Sequence, residues 1–212
     1  LKTFRNVQCK LSVLSKNIRF SAAKPSKLRM DKGNAMPMTT LKDVLEHSQH
    51  AEVVRQVMNI FVPLALRLPE LRDNPAMMRE KVKAIGRSGI TDVATNADVL
   101  MQAELRKHVE EMHDSWQFWG EEGADDDMAY DATKRYLFIT DPIEGTNNFK
   151  ARKDEQWGSV VALVDISTKE PVIGIIALPA RRRFYLGIKG TGAYIVTYDE
   201  QGRVSSFSTM EK

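Results

Sequence analysis

The stretch Tyr136-Leu-Phe-Ile-Thr-Asp-Pro-Ile-Glu-Gly-Thr-Asn-Asn-Phe149 decides how this chain is read. Its apolar start, Tyr136 to Ile139, predicts a buried strand that stops at a carboxylate, Asp141, followed by Pro142. Glu144 comes three residues later, and Gly145-Thr146 offers small residues and a hydroxyl where a helix can begin, its first N–H groups facing the same spot. Two carboxylates beside a helix start can hold hard cations on one side and a phosphate on the other. The same residues also fit a plain strand, turn and helix with solvated acids. A second acidic pair, Glu121-Glu122, again follows a strand pattern, Trp116 to Trp119, and tips the balance toward a site.

Beyond this stretch, the apolar runs Val160–Val164, Val172–Leu178, Phe184–Ile188 and Ala193–Tyr198 are separated by Gly, Pro and charged turns and predict antiparallel strands. Before it, Thr40-Leu-Lys-Asp43 has the form of a capping box. Leu41, Val44, Leu45, Val54, Val57 and Phe61 then keep helical spacing to about Pro63, which predicts one core helix. Pro69 and Pro75 bracket a charged connection, and Ser88 to Thr95 reads as a short turn-prone segment. Asn96-Ala-Asp98 opens a second helix with Leu100, Ala103, Val109 and Met112 as its stripe, and Asp98 suits the first turn as a cap. The fold class expected is α+β, two long helices packed on a largely antiparallel sheet.

Composition is that of an ordinary globular protein: 212 residues, 42% hydrophobic and 28% charged, enough for one sizeable core. No apolar run reaches the roughly 18–20 residues of a membrane-spanning helix, so no membrane partner is expected. Cys9 is the single cysteine, which excludes an internal disulfide framework and a cysteine-based zinc site. The net charge of +3 is unevenly spread. Residues 1–30 hold eight Lys/Arg and no acid, leaving 23 of the 31 bases against all 28 acids, a balance of −5. Residues 1–35 are therefore set apart as a basic tail, and its amphipathic, acid-free start is a candidate mitochondrial or plastid targeting peptide. A disordered tail or an untranslated upstream stretch has the same composition, and the expected location is then the cytoplasm. Residues 36–212 are taken as the folded domain.

Three features have duller explanations. His47 and His50 lie one turn apart without a visible third ligand and read as a solvated pair. Asp125-Asp126-Asp127 lacks the spaced ligands of a calcium loop. Arg181-Arg182-Arg183 reads as a hairpin turn with solvated bases, and with an acidic body no nucleic-acid partner is expected.

Gly120-Glu121-Glu122 together with Asp141-Pro-Ile-Glu-Gly-Thr-Asn-Asn-Phe149 resembles the two signature motifs of the inositol monophosphatase superfamily of magnesium-dependent, lithium-sensitive phosphatases. That superfamily includes fructose-1,6-bisphosphatases, histidinol-phosphate phosphatases and 3′(2′),5′-bisphosphate nucleotidases. Val93-Ala-Thr-Asn-Ala-Asp98 looks like its V-T-x-x-D segment, and Pro179 with Tyr185 to Tyr194 looks like its glycine-rich hairpin, so the resemblance covers about residues 40–198. It implies the N-terminal half of a layered αβαβα fold. It also implies two or three Mg²⁺ sites with inhibition by Li⁺, a small phosphorylated substrate and a homodimer. Glu121, Asp141 and the carbonyl of Ile143 would bind one metal, and Asp141 and Glu144 a second. Thr146 with Glu121 would orient the attacking water, Asp98 would support Thr146, and the N–H groups around Gly145 and Thr146 would hold the phosphate.

Three departures stand out. The family usually has Asp where Glu144 stands, and often Lys where Arg87 stands. Its second α/β half, with a W-D-x-A-A segment, is absent from this sequence. The activity expected is Mg²⁺-dependent hydrolysis of a small phosphorylated alcohol by metal-activated water. The alternative is a catalytically silent fragment or pseudoenzyme that retains metal or phosphate binding, or dimerises.

Overall fold

The computed structural model describes residues 40–85, 91–122 and 131–210. The basic tail with Cys9, Arg87 and the Asp125 to Asp127 run lie outside the described residues. Among the described residues, four α-helices, α1 (Leu41–Glu46), α2 (Ala51–Asp73), α3 (Asn96–Met112) and α4 (Thr146–Lys150), accompany nine strands. A hairpin, β1 (Glu80–Ile85) and β2 (Thr91–Thr95), stands apart from a seven-stranded sheet. That sheet runs in chain order: β3 (Trp116–Gly120), β4 (Tyr136–Glu144), β5 (Gly158–Asp165), β6 (Glu170–Leu178), β7 (Arg183–Ile188), β8 (Gly192–Tyr198) and β9 (Val204–Thr209). Only its first pair is parallel; every later pair is antiparallel. The architecture is α+β, as expected.

The capping box at Thr40 is present: Thr40 N–H donates to Asp43 Oδ2 at 2.9 Å and Asp43 N–H to Thr40 Oγ1 at 3.2 Å. The single helix expected to follow is two, broken at His47 to His50, where the His50 N–H turns to the Ser48 hydroxyl at 3.1 Å instead of an α-helical carbonyl. The second helix then runs past Pro63 and Pro69 to Asp73. A proline inside a helix costs about 3 kcal/mol, yet here the apolar stripe Phe61, Leu64, Ala65 and Leu68 continues through it, all buried. Pro63 and Asn59 both lie on the exposed side, so the carbonyl that loses its partner faces water.

α3 faces the core through Ala97, Met101, Leu105 and Val109; of the stripe the sequence suggested only Val109 is fully buried, while Ala103 is exposed and Met112 is 59% exposed. The buried polar pair Asp98 and Gln102 on the same helix shifts that face by about one residue. Three strands carried too weak a pattern to be expected, and one of them, β2 (Thr91–Thr95), stands where the sequence suggested a turn-prone segment. β1, Glu80-Lys-Val-Lys-Ala-Ile, is charged and leaves Val82 63% exposed; β9, Val204-Ser-Ser-Phe-Ser-Thr, is held to the sheet by Phe207 stacked on Tyr194 at 5.2 Å. In the sheet, the face of β3 to β6 that meets α2 and α3 is buried, with Phe61 edge-on to Phe184 at 6.5 Å and Phe118 stacked on Phe138 at 5.6 Å. The opposite face, with Ala162, Ile176 and Ile195, is half-buried. Among the described residues no helix is long and apolar enough to cross a membrane.

The register of α3 can be checked by truncation. Leu105→Ala, at a fully buried position, is expected to lower the free energy of unfolding in urea by about 2–5 kcal/mol. Met112→Ala should stay within about 0.5 kcal/mol, and a reversed order would contradict the described face.

Candidate active site

The parallel pair β3 and β4 sets the level of two acids. Trp116 lies opposite Tyr136 and the register holds to Gly120 opposite Thr140, so the next residue on each strand is a carboxylate, Glu121 or Asp141. The ladder extends one step further, with the Glu121 N–H donating to the Thr140 carbonyl at 3.2 Å. Glu121 is half-buried and Asp141 is 6% exposed. On its other edge β4 pairs Asp141 with Val160, slips, and resumes at Glu144 with Gly158. Such an irregularity re-aims side chains at a strand's end. Within it, the Ile143 N–H donates to Asp141 Oδ1 at 3.1 Å, which fixes the carboxylate on its own turn.

Gly145 then takes a left-handed conformation, φ 85°, and α4 begins at Thr146. The Thr146 hydroxyl stands 3.1 Å from the Ile143 carbonyl and 3.3 Å from Asp98 Oδ1. It has one proton and two acceptors to choose between. Asp98 is wholly buried, and its Oδ2 accepts from both the N–H and the hydroxyl of Thr95, at 2.7 and 2.6 Å. The start of α3 is itself held by the preceding turn: Asn96 N–H donates to the Arg79 carbonyl and Ala97 N–H to the Met77 carbonyl, both at 3.0 Å. These are N–H groups a helix cannot satisfy internally.

The loop after α4 supports the turn from below. The Gln156 carbonyl lies where a Cβ on Gly145 would fall, 2.8 Å away, and accepts from Asn148 Nδ2 at 2.9 Å. Arg72 pairs with Asp154 and lies over the rings of Phe149 and Trp157, 5.8 and 5.7 Å from their centroids. Its hydrogen bond holds the Asp154 carboxyl below the usual carboxylate range. Arg152 with Asp73 at 2.7 Å, and Lys150 with Glu80 at 2.5 Å, tie the same segment to α2 and β1. Each exposed pair is worth little singly, but together they anchor both ends of the loop.

The structure thus joins Asp98, Thr146, Ile143 and Asp141 through hydrogen bonds and brings Glu121 level with Asp141 through backbone pairing. Glu144 does not join them: it is exposed at the end of β4. Among the described residues no three His, Cys, Asp or Glu side chains stand together closely enough to hold an ion. His47 Nδ1 instead meets the Asp43 carbonyl at 2.7 Å. The donors that do gather, carboxylates and a backbone carbonyl, are all hard oxygens, and in kind they suit Mg²⁺ or Ca²⁺ rather than a softer metal. One further residue takes part. Gln102, four residues after Asp98, bonds the backbone of Glu122 in both directions, and its only sequence signal is that helical spacing.

The profile of the inositol monophosphatase family matches residues 54–211. The chain belongs to that family. Inositol monophosphatase 3 of Solanum lycopersicum is 26% identical over 145 residues, 67% of this chain and 51% of its own length. Inositol monophosphatase 1 of the same plant is 28% identical over 116 residues, 54% of this chain and 41% of that protein. A solved IMPase/NADP phosphatase complexed with NADP and Ca²⁺ superposes with a TM-score of 0.57 at 19% identity, covering 70% of this chain and 52% of that one. The last likeness speaks for the fold. This inositol monophosphatase family member spans about half the length of the relatives it matches.

Gly145 and Gly190 both have φ above 80°, but only Gly145 has a backbone neighbour where a Cβ would go. Gly190→Ala should cost roughly 1 kcal/mol for the left-handed backbone alone. Gly145→Ala should cost at least about 1 kcal/mol more in the same urea titration, through the Gln156 carbonyl. Equal losses would mean that the turn does not rest on that carbonyl.

Proposed function

We propose that this chain carries the metal- and phosphate-binding half-site of a Mg²⁺-dependent phosphomonoesterase acting on a small phosphorylated alcohol of the inositol monophosphate kind. The observation that carries the reading is the Thr146 hydroxyl shared between the Asp98 carboxylate and the Ile143 carbonyl. Family membership supports the hydrolase class, and the Ca²⁺ in the solved IMPase/NADP phosphatase supports a hard divalent ion.

Glu121, Asp141 and the Ile143 carbonyl would hold one ion, and Asp141 with Glu144 a second. When bound, Mg²⁺ supplies Lewis acidity toward a phosphoryl oxygen and toward the leaving alcohol. With its proton donated to Asp98 Oδ1, Thr146 would turn the lone pairs of Oγ1 outward as acceptors. Asp98 is suited to this because it is already fixed by two bonds from Thr95. Thr146 then accepts one hydrogen bond from a water, Glu121 accepts the other, and the water oxygen is aimed at phosphorus. The water gives one proton to the Glu121 carboxylate as its new P–O bond forms and the ester P–O bond breaks, and the departing alkoxide takes a proton from solvent. No side chain needs to become covalently attached.

One observation favours a second reading. Glu144 is one methylene longer than the Asp the family usually has at this place, which moves and re-angles its carboxylate relative to Asp141. In that reading the chain binds the ion or phosphate without turnover.

Titration calorimetry with Mg²⁺ and phosphate release from myo-inositol 1-phosphate separate the two. The first reading expects binding that disappears in Asp141→Asn and tightens in Glu144→Asp. It also expects Mg²⁺-dependent release, slowed roughly a hundredfold or more in Thr146→Val. Binding without release in the wild type supports the second reading, and no binding at all contradicts both.

A further inference from the structure

Helix α3 carries two buried polar side chains one turn apart on its core face, and only the first, Asp98, belongs to the chemistry above. The second, Gln102, is 5% exposed. Its Nε2 donates to the Glu122 carbonyl, and its Oε1 accepts from the Glu122 N–H at 2.7 Å. A primary amide presents one donor edge and one acceptor in a single plane, as a neighbouring strand would. An ionised carboxylate offers acceptors only, and an aliphatic side chain offers neither.

Gly120 completes the arrangement. A Cβ built on it would lie 2.1 Å from Gln102 Oε1 and 2.2 Å from Cδ, so the amide occupies the space a side chain at this position would need. The residues on either side of Glu121 are therefore both set by Gln102, one by hydrogen bonds and one by close packing. Between them, the Glu121 backbone is pinned to Thr140. The two ends of the amide and the Glu122 peptide are buried groups that satisfy one another, and removing one side leaves the other unpaired in the interior.

We propose that Gln102 is a positioning residue that fixes where the Glu121 carboxylate points, so that α3 sets both loops of the site from one face: Thr146 through Asp98, and Glu121 through Gln102. This rests on the reading of Glu121 as an oxygen ligand. It accounts for a glycine before that acid, a position where backbone angles alone do not require one.

The test compares the wild-type full chain with four variants: Gln102→Leu, Gly120→Ala, Gln102→Ala, and the double variant Gln102→Ala with Gly120→Ala. Amide hydrogen exchange and Mg²⁺ titration are measured on each. In Gln102→Leu the Glu122 amide should exchange at least about tenfold faster while the amides of Leu105, Val109 and Phe138 keep their protection, and Mg²⁺ affinity should fall about tenfold or more, the scale for losing a group that holds a ligand in place. Gly120→Ala should weaken Mg²⁺ binding in the wild-type background and have no further effect beside Gln102→Ala, where the Cβ has room; this pair decides the matter if the Leu variant does not fold. Unchanged Glu122 protection overturns the proposal. So does lost protection with unchanged Mg²⁺ affinity, or a Gly120→Ala effect that adds in full to that of Gln102→Ala. A wild type that binds no Mg²⁺ contradicts instead the ligand role of Glu121. Wild-type binding that Gln102→Leu leaves unaltered contradicts the positioning role alone.

Discussion

A carboxylate without exposed surface has to find its donors inside the fold, and Asp98 draws them from two other pieces of chain. Thr95 supplies its N–H and hydroxyl at the end of the β1–β2 hairpin, Asp98 itself stands in the first turn of α3, and Thr146 supplies a hydroxyl from the first turn of α4. Burying such a group unpaired costs far more than any surface ion pair returns. Hairpin, long helix and acidic turn must therefore arrive together. The same contact that closes the fold leaves the Thr146 hydroxyl beside the Ile143 carbonyl.

Onto this the sheet adds level strand ends. One parallel pair in an otherwise antiparallel sheet brings the C-terminal ends of β3 and β4 side by side, and an acid follows at the same height on each. An antiparallel pair would have placed the two acids at opposite ends of the sheet. Antiparallel pairing of β4 with β5 on the other edge, interrupted after Asp141, turns the chain into the glycine-led start of α4. The turn then rests on the Gln156 carbonyl, and Arg72 clamps the loop beneath it through charge and ring faces.

Much of this was legible where local chemistry and tertiary structure agree. The Thr40–Asp43 capping box, the strand beginning at Tyr136 and the antiparallel run from Val160 to Tyr198 each follow from spacing that their final surroundings keep, although that first strand passes its expected stop at Asp141 and ends at Glu144. The break at His47 to His50 was hidden because apolar residues continue in near-helical phase across it. Pro63 misled in the other direction, since its missing hydrogen bond falls on the solvent side while the buried stripe runs on. Apolar spacing also misplaced the face of α3, because Asp98 and Gln102 are polar residues buried for their hydrogen bonds and no hydrophobic pattern records them. In the site, residue types named the carboxylates and the hydroxyl, but the exposure of Glu144 and the clasp on Glu122 are consequences of packing.

Asp98 and Thr146 act on one another and so unite α3 with the acidic turn. A double-mutant cycle of Asp98→Asn and Thr146→Val, read as unfolding free energy in urea, measures that interaction directly. A coupling of about 0.5–3 kcal/mol is expected for residues that share a buried hydrogen bond. Losses that add to within about 0.5 kcal/mol would show that the two residues do not sense each other, and the account of how the site is assembled would be contradicted.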